Sequence, residues 1–123
     1  MNDAVRMDPS AKPIKTDTRP WGMFEQFNQN SECTVKLIHV KASKRLSLQY
    51  HNHREEYWRI ISGRVRVTIG DMTTEAGPGE SFHVPLKTRH RLEGVTDATL
   101  LEIAKGRFDE DDIVRIEDDF GRK

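Results

Sequence analysis

The sequence predicts an all-β protein of one domain, folded as a jelly-roll-like antiparallel barrel. Two observations support this prediction. Short apolar and β-branched runs recur along the chain with turn residues between them, and no segment before Phe108 shows the period of an amphipathic helix. Regularly spaced short strands are typical of β-sandwiches and barrels. The length of 123 residues suits a single domain.

The order of elements follows from polar stretches and turn residues. The polar, proline-containing start of the chain predicts a flexible N-terminal arm over residues 1–18 and a folded domain over residues 19–123. The acidic segment 109–120 fits either a short helix or an extended tail. Turns such as Ser62-Gly63 separate the apolar runs, which predict strands at 23–27, 34–40, 46–51, 57–61, 65–69, 81–84, 90–93 and 99–104.

Composition limits the classes of partner. The 20 basic residues are balanced by 20 acidic ones, so neither nucleic acid nor an anionic membrane is expected as a partner. No apolar run reaches the roughly 18 residues of a membrane span. The absence of a secretory signal pattern near Met1 and the single cysteine, Cys33, fit a cytoplasmic protein. A homodimer is expected, because the hydrophobic fraction is only 35% and association would bury apolar outer-face positions.

Residues that commonly bind metals are concentrated between residues 45 and 63. Alternate side chains of a strand share a face, so Gln49, His51 and, at the strand end, His53 are expected to point the same way. Glu56 follows as the next strand begins, and His90 lies on a later strand. Two ligand sets remain open: Gln49, His51, Glu56 and His90, or the same set with His53 in place of Gln49. His53 is otherwise a candidate for proton transfer.

The sequence also predicts roles for three further side chains, one at the site and two outside it. Arg45 has the same parity as Gln49, so it is a candidate for binding an anionic substrate group. His39 and His83 stand alone on their strands and are expected to be structural.

The spacing of these residues resembles the two sequence motifs of the cupins, which fold as a double-stranded β-helix. The first motif corresponds to Gln49-x-His51-x4-Glu56-x6-Gly63, with Gln in place of the first His, and the second to Gly79-x5-Pro85-x4-His90. A more specific resemblance covers residues 19–122. It is to the type II mannose-6-phosphate isomerase cupin, which also forms the C-terminal domain of mannose-1-phosphate guanylyltransferases, and it rests on Arg19-Pro-Trp-Gly22, Leu46-Ser-Leu-Gln49, His51-x-His53-Arg54-x-Glu56-x-Trp58, Ser62-Gly63, His90-Arg91-Leu92-Glu93 and the segment 110–122.

This resemblance implies an aldose-ketose isomerase that interconverts mannose 6-phosphate and fructose 6-phosphate. It implies a small sugar phosphate as the substrate and a divalent metal as the cofactor, with Zn²⁺ first and Mn, Fe, Co or Ni as alternatives. Two other functions fit the same set of ligands. One is a non-catalytic, metal-containing cupin that binds a small sugar or metabolite, and the other is a cupin dioxygenase.

Overall fold

The computed structural model describes residue 8 and residues 10–122, and this part of the chain consists of strands and turns without a helix. The predicted all-β architecture is therefore confirmed. The strands are β1 (Lys15–Arg19), β2 (Gly22–Gln26), β3 (Cys33–Val40), β4 (Leu48–Tyr50), β5 (Arg54–Ser62), β6 (Val65–Ile69), β7 (Met72–Ala76), β8 (Ser81–Val84), β9 (His90–Gly94), β10 (Ala98–Gly106) and β11 (Val114–Glu117).

These strands form a small hairpin and two larger antiparallel sheets. Strands β1 and β2 pair with each other, four strands pair in the order β3-β10-β5-β8, and five pair in the order β11-β4-β9-β6-β7. The two larger sheets alternate along the chain, because β5 and β6 are consecutive in sequence yet belong to different sheets. This connectivity brings β4, β5 and β9 to one region, and those strands carry the candidate ligands.

The core lies between the two larger sheets and is built from the inward residues of alternating strands. Trp58 and Ile60 of β5 are buried, as is Leu100 of β10. The opposite sheet contributes Val67 and Leu92, which are also buried. Because strand side chains alternate between the two faces, the intervening positions of β5 and β10 are only half-buried.

Gly63 makes the tight turn from β5 to β6 that passes the chain from one sheet to the other. Its φ of +80° lies in the region that favours glycine. A Cβ at this position would also collide with the carbonyl oxygen of Asp97. The glycine of the predicted turn is therefore required both by the backbone conformation and by the close approach of a neighbouring chain segment.

The N-terminal region differs from the expected flexible arm over residues 1–18. Residues 1–7 and residue 9 lie outside the described residues. Within the remainder, β1 pairs with β2 along its whole length, and Ala11 is buried. The side chain of Asp8 accepts a hydrogen bond from the backbone N–H of His83 at 3.0 Å. The ordered part therefore begins before Arg19, because backbone pairing orders a strand whose side chains are polar.

The C-terminal segment is extended, so the helix alternative for residues 109–120 is wrong. A turn at Glu110 and Asp111 is followed by β11, which pairs with β4. Pairing with a partner strand satisfies the backbone groups that a short acidic helix would leave exposed. Among residues 10–122, no helical segment offers the length and apolar character that crossing a membrane requires.

Candidate metal centre

Three predicted ligands meet inside the barrel: His51, Glu56 and His90. Each is at most 3% exposed. One ligand atom from each residue lies within 4.8 Å of the others. His51 follows the last residue of β4, Glu56 is the third residue of β5, and His90 opens β9. The three side chains therefore come from β5, from β9 and from the residue that follows β4, and distant parts of the sequence meet at one point.

Backbone carbonyl groups fix the orientation of both imidazole rings. The Nδ1 atom of His51 lies 2.6 Å from the carbonyl oxygen of Asp112, and Nδ1 of His90 lies 2.9 Å from that of Thr88. A carbonyl oxygen only accepts, so Nδ1–H is the donor in each case, and the lone pair of a neutral ring is then on Nε2. Metal-binding histidines are commonly oriented in this way.

The carboxylate of Glu56 is held by donors on both of its oxygens. Trp58 Nε1 donates to Oε1 at 3.0 Å, and Arg54 Nε donates to Oε2 at 3.3 Å. Burial acts to raise the pKa of Glu56, but the hydrogen bond that His51 and the positive charge that His90 offer in their protonated forms outweigh it, and the pKa lies well below its ordinary value. Burial lowers the pKa of His90. At neutral pH the cluster therefore offers an ionised carboxylate and a neutral imidazole, the forms that bind metal.

Glu102 is a second buried acidic residue beside Glu56, and sequence analysis missed it. It lies on β10 opposite Trp58 and is 6% exposed. Burial, followed by the charge of Glu56 and a hydrogen bond with it, raises the pKa of Glu102 to about 8. At neutral pH its protonated carboxyl donates to the Glu56 carboxylate. One signal in the sequence marks this residue, because Glu102 alternates with Leu100 and Ala104 on the apolar face of its strand.

Arg54 also belongs to the cluster, through contacts made by every part of its guanidinium. Nη2 lies 3.2 Å from His51 Nε2, and Nη1 donates to the carbonyl oxygen of Asp109 at 3.2 Å. The guanidinium carbon lies 4.1 Å from the centre of the Phe108 ring. A buried cation thus offsets the charge of Glu56 and faces the same Nε2 atom that a metal would bind.

The two alternative ligands, Gln49 and His53, are placed differently. Gln49 stands directly opposite His90 in the pairing of β4 with β9, so the two side chains share a face. Its Oε1 accepts a hydrogen bond from the hydroxyl of Ser47 at 3.2 Å. His53 is exposed, and its ring is outside the buried cluster, although its backbone N–H donates to Asp112 Oδ2 at 2.9 Å.

Arg45, the predicted substrate-binding residue, lies away from the cluster. Its Nε and Nη2 donate to the two carboxylate oxygens of Asp119 at 2.7 and 2.9 Å. Its backbone pairs with that of Glu93, whose side chain accepts a hydrogen bond from the exposed Arg66. Arg45 therefore shares the outer face with Glu93. The parity argument fails here because regular pairing begins only at Leu48, and the irregular residues before it break the alternation.

The residues present fit a divalent metal. His90 Nε2 is buried and has no hydrogen-bond partner in the part of the chain that the structure describes, and it faces the Glu56 carboxylate at 3.8 Å. An unpartnered buried polar atom is unusual in a folded protein, and a metal bond would satisfy it. Two imidazole nitrogens and one carboxylate oxygen suit Zn²⁺ and several first-row transition metals, and three protein ligands leave positions open for a small molecule.

The fold and this cluster place the molecule among the cupins. Oxalate decarboxylase from Bacillus subtilis superposes with a TM-score of 0.64 at 22% identity, over 70% of this chain and 24% of that one. A double-stranded β-helix protein from Klebsiella pneumoniae superposes with a TM-score of 0.62 at 15% identity, over 73% of this chain and 75% of that one. At these identities the likeness shows the fold alone.

The chain belongs to the mannose-6-phosphate isomerase C-terminal family, whose model matches residues 8–118. It is 40% identical over 107 residues to mannose-1-phosphate guanylyltransferase ManC of Salmonella typhimurium, covering 85% of this chain and 22% of that protein. It is 39% identical to the alginate biosynthesis protein AlgA of Pseudomonas aeruginosa, covering 85% of this chain and 22% of that protein. The chain thus spans about a fifth of the length of these relatives.

These relatives correct the function expected from the sequence. The prediction of isomerisation of mannose 6-phosphate to fructose 6-phosphate is wrong, because the relatives that carry this domain are named for guanylyl transfer to mannose 1-phosphate. The physical reason is that the motifs around His51 and His90 specify a barrel and a set of ligands, which many reactions share. The coarser expectation of an enzyme family that handles mannose phosphates is supported by these names.

Proposed function

We propose that this chain is a metal-dependent domain that binds a phosphorylated mannose in the lumen of its barrel. The observation that carries the proposal is the buried group of His51, Glu56 and His90. The chain that carries this group belongs to a family named for mannose 6-phosphate, and its relatives are named for mannose 1-phosphate. The ligand is a small molecule, since the cluster lies between the two sheets rather than on an outer surface.

The metal would be held by Nε2 of His51, Nε2 of His90 and the carboxylate of Glu56. Zn²⁺ is the first candidate because two imidazoles and one carboxylate form a common catalytic zinc set, with Mn, Fe, Co and Ni as alternatives. When bound, such an ion acts as a Lewis acid that polarises a sugar oxygen. The orientation of both imidazole rings by backbone carbonyls supports a site formed before the metal arrives.

Three further residues of this chain would act around a bound sugar. The protonated Glu102 keeps a proton beside Glu56 at neutral pH and steadies that carboxylate. The guanidinium of Arg54, which contacts both His51 and Glu56, supplies positive charge near the ligand atoms. The indole of Trp58 packs edge-on against the His90 ring, with ring centres 5.6 Å apart, and its Nε1–H donates to Glu56.

Calorimetric titration of the zinc-loaded protein tests this proposal. Mannose 6-phosphate and mannose 1-phosphate are each titrated into zinc-loaded wild type, into metal-free wild type and into zinc-treated His90→Ala protein. We expect saturable binding of at least one phosphate ester by the zinc-loaded wild type alone. The proposal fails if neither ester binds, or if removal of the metal leaves the affinity of both unchanged.

A further inference from the structure

Arg115 is an arginine of the five-stranded sheet whose side chain has no protein partner among the described residues. Its Nε atom is buried, and no hydrogen bond reaches it. Arg45, Arg54 and Arg66 are each held by hydrogen bonds or ion pairs, whereas within residues 10–122 the Arg115 side chain forms neither. Leaving a cationic donor buried and unsatisfied costs free energy, so such a group in a folded protein calls for an explanation.

Strand pairing places Arg115 on the same face of the sheet as the candidate metal ligands. Arg115 of β11 stands directly opposite Gln49 of β4, and Gln49 stands opposite His90 of β9. Directly opposed residues of antiparallel strands project to the same face, so the three side chains form one row. Neighbouring strands are about 4.8 Å apart, which separates the Cα atoms of Arg115 and His90 by about 10 Å. A ligand of the size of a phosphorylated hexose spans this separation.

The two arginines that are buried as whole residues, Arg54 and Arg91, are already engaged. Arg54 donates to Glu56 and to the carbonyl oxygen of Asp109. Arg91 donates to the carbonyl oxygen of Leu46 and forms an ion pair with Glu117. An incoming anion would have to displace these contacts, whereas Arg115 offers its Nε–H without such a loss.

We propose that Arg115 binds the phosphate group of the ligand whose sugar oxygen meets the metal. The inference rests on the proposed function, because it assigns the second end of the same ligand. A guanidinium donates two parallel hydrogen bonds to a phosphate, which fixes both the position and the direction of the group. Arg115 then selects phosphorylated over neutral sugars, while His51, Glu56 and His90 hold the metal.

The first test does not depend on a metal or a sugar. Inorganic phosphate is titrated into metal-free protein, and the arginine Nε–Hε signals are followed by NMR, with Arg115→Met identifying its signal. We expect a saturable shift of the Arg115 signal. The signal of Arg66, which lies on the outer face of the same sheet and bonds to Glu93, is the matched control and should stay in place. An unmoved Arg115 signal overturns the assignment.

The second test separates this inference from the proposed function. In zinc-loaded protein, Arg115→Met should weaken mannose 6-phosphate binding by about 10- to 100-fold, as expected for a lost hydrogen bond to a charged group, without changing zinc content or mannose affinity. Arg115→Lys should restore part of the loss, and Arg66→Met should have no effect. If the wild type binds the ester and Arg115→Met binds it equally well, the assignment fails and the proposed function stands. If the wild type binds no ester while phosphate shifts the Arg115 signal, the proposed function fails, and only the binding of a phosphate group by Arg115 stands.

Discussion

At the scale of single residues, the pair of Glu56 and Glu102 shows how two acids share one buried site. Burial is unfavourable for the charged form of both. Glu56 stays ionised because its interactions with His51 and His90 outweigh burial, while Glu102 keeps its proton because burial and the neighbouring charge of Glu56 oppose its ionisation. The two environments therefore make Glu56 a hydrogen-bond acceptor and Glu102 a donor, although both side chains are carboxyl groups.

This pair predicts a loss of stability at alkaline pH. The pKa of Glu102 is about 8 in the folded protein against an ordinary 4.5, so between these values the folded state holds a proton that the unfolded state has lost. The free energy of unfolding therefore falls as pH rises from about 4.5 to about 8, and this contribution levels off above that range. In metal-free protein, we expect the urea midpoint to drop between pH 6 and pH 9, and to drop less in Glu102→Gln, whose amide still donates to Glu56. Equal drops in both proteins would contradict this account.

Motif spacing and strand parity both indicated His51, Glu56 and His90, and the fold brings these three side chains together, while their binding of a metal stays a prediction. Glu102 escaped prediction because its contact with Glu56 joins strands far apart in the chain, and no local pattern encodes that pairing. Arg115 escaped because the acidic residues before it also suited the first turn of a helix. Residue type indicates chemical capability, whereas the choice of partner depends on how the strands pair.

At the scale of elements, the segment between β10 and β11 controls the geometry of the cluster. Its residue Asp112 accepts hydrogen bonds from the backbone N–H groups of Asn52 and His53, both at 2.9 Å. The carbonyl oxygen of Asp112 also orients the His51 ring. One residue therefore anchors the connection between β4 and β5 from both its side chain and its backbone.

Loss of the Asp112 side chain should weaken metal binding without touching a ligand. We expect Asp112→Ala to lower zinc affinity by about 10-fold or more, the range usual for residues that orient ligands. Competition with a chromogenic chelator measures this. Asp111→Ala is the matched control. Asp111 is adjacent and exposed, and among the described residues its side chain forms no hydrogen bond with residues 51–53. Equal losses in both variants would remove the anchoring role of Asp112.

The strands missed in the sequence are those whose two faces are both mostly accessible. The side chains of β1 and β11 are exposed or half-buried throughout, and those of β7 mostly are. Such strands lack the clear alternation of apolar and polar residues that marks β5 or β10. Their order comes from backbone pairing with β2, β4 and β6, which side-chain patterns do not reveal.

At the scale of the whole molecule, the outer face of the four-stranded sheet carries an apolar patch on β3 and β10. Val35 and Leu37 of β3 are 59% and 57% exposed. They stand opposite Ile103 and Leu101 of β10, so the apolar side chains adjoin one another. We propose that a second copy of the chain covers this face, because packing about a two-fold axis buries both copies of the same patch at once.

The cytoplasmic location expected from the sequence also stays a prediction.

Light scattering tests the proposed dimer. We expect wild-type protein to show twice the 14.2 kDa mass of the chain, and Leu37→Glu to shift it to the mass of one chain, because the substitution places a charge in the interface. Met72→Glu introduces the same charge at an exposed position of the other large sheet and should leave the dimer intact. A wild-type mass of one chain at micromolar concentration would exclude the dimer.

The central claim is that His51, Glu56 and His90 bind one divalent metal inside the barrel, and zinc binding to matched histidine variants tests it most directly. Zinc is titrated into chelator-treated wild type and into His51→Ala, His90→Ala, His39→Ala and His83→Ala proteins, with circular dichroism confirming the fold of each. We predict one zinc per chain in the wild type. The affinity should fall about 100-fold or more in His51→Ala and His90→Ala, a loss at least as large as that seen when only a ligand's orienting partner is removed. It should be unchanged in His39→Ala and His83→Ala. Equal zinc binding by the wild type, His51→Ala and His90→Ala would contradict the account.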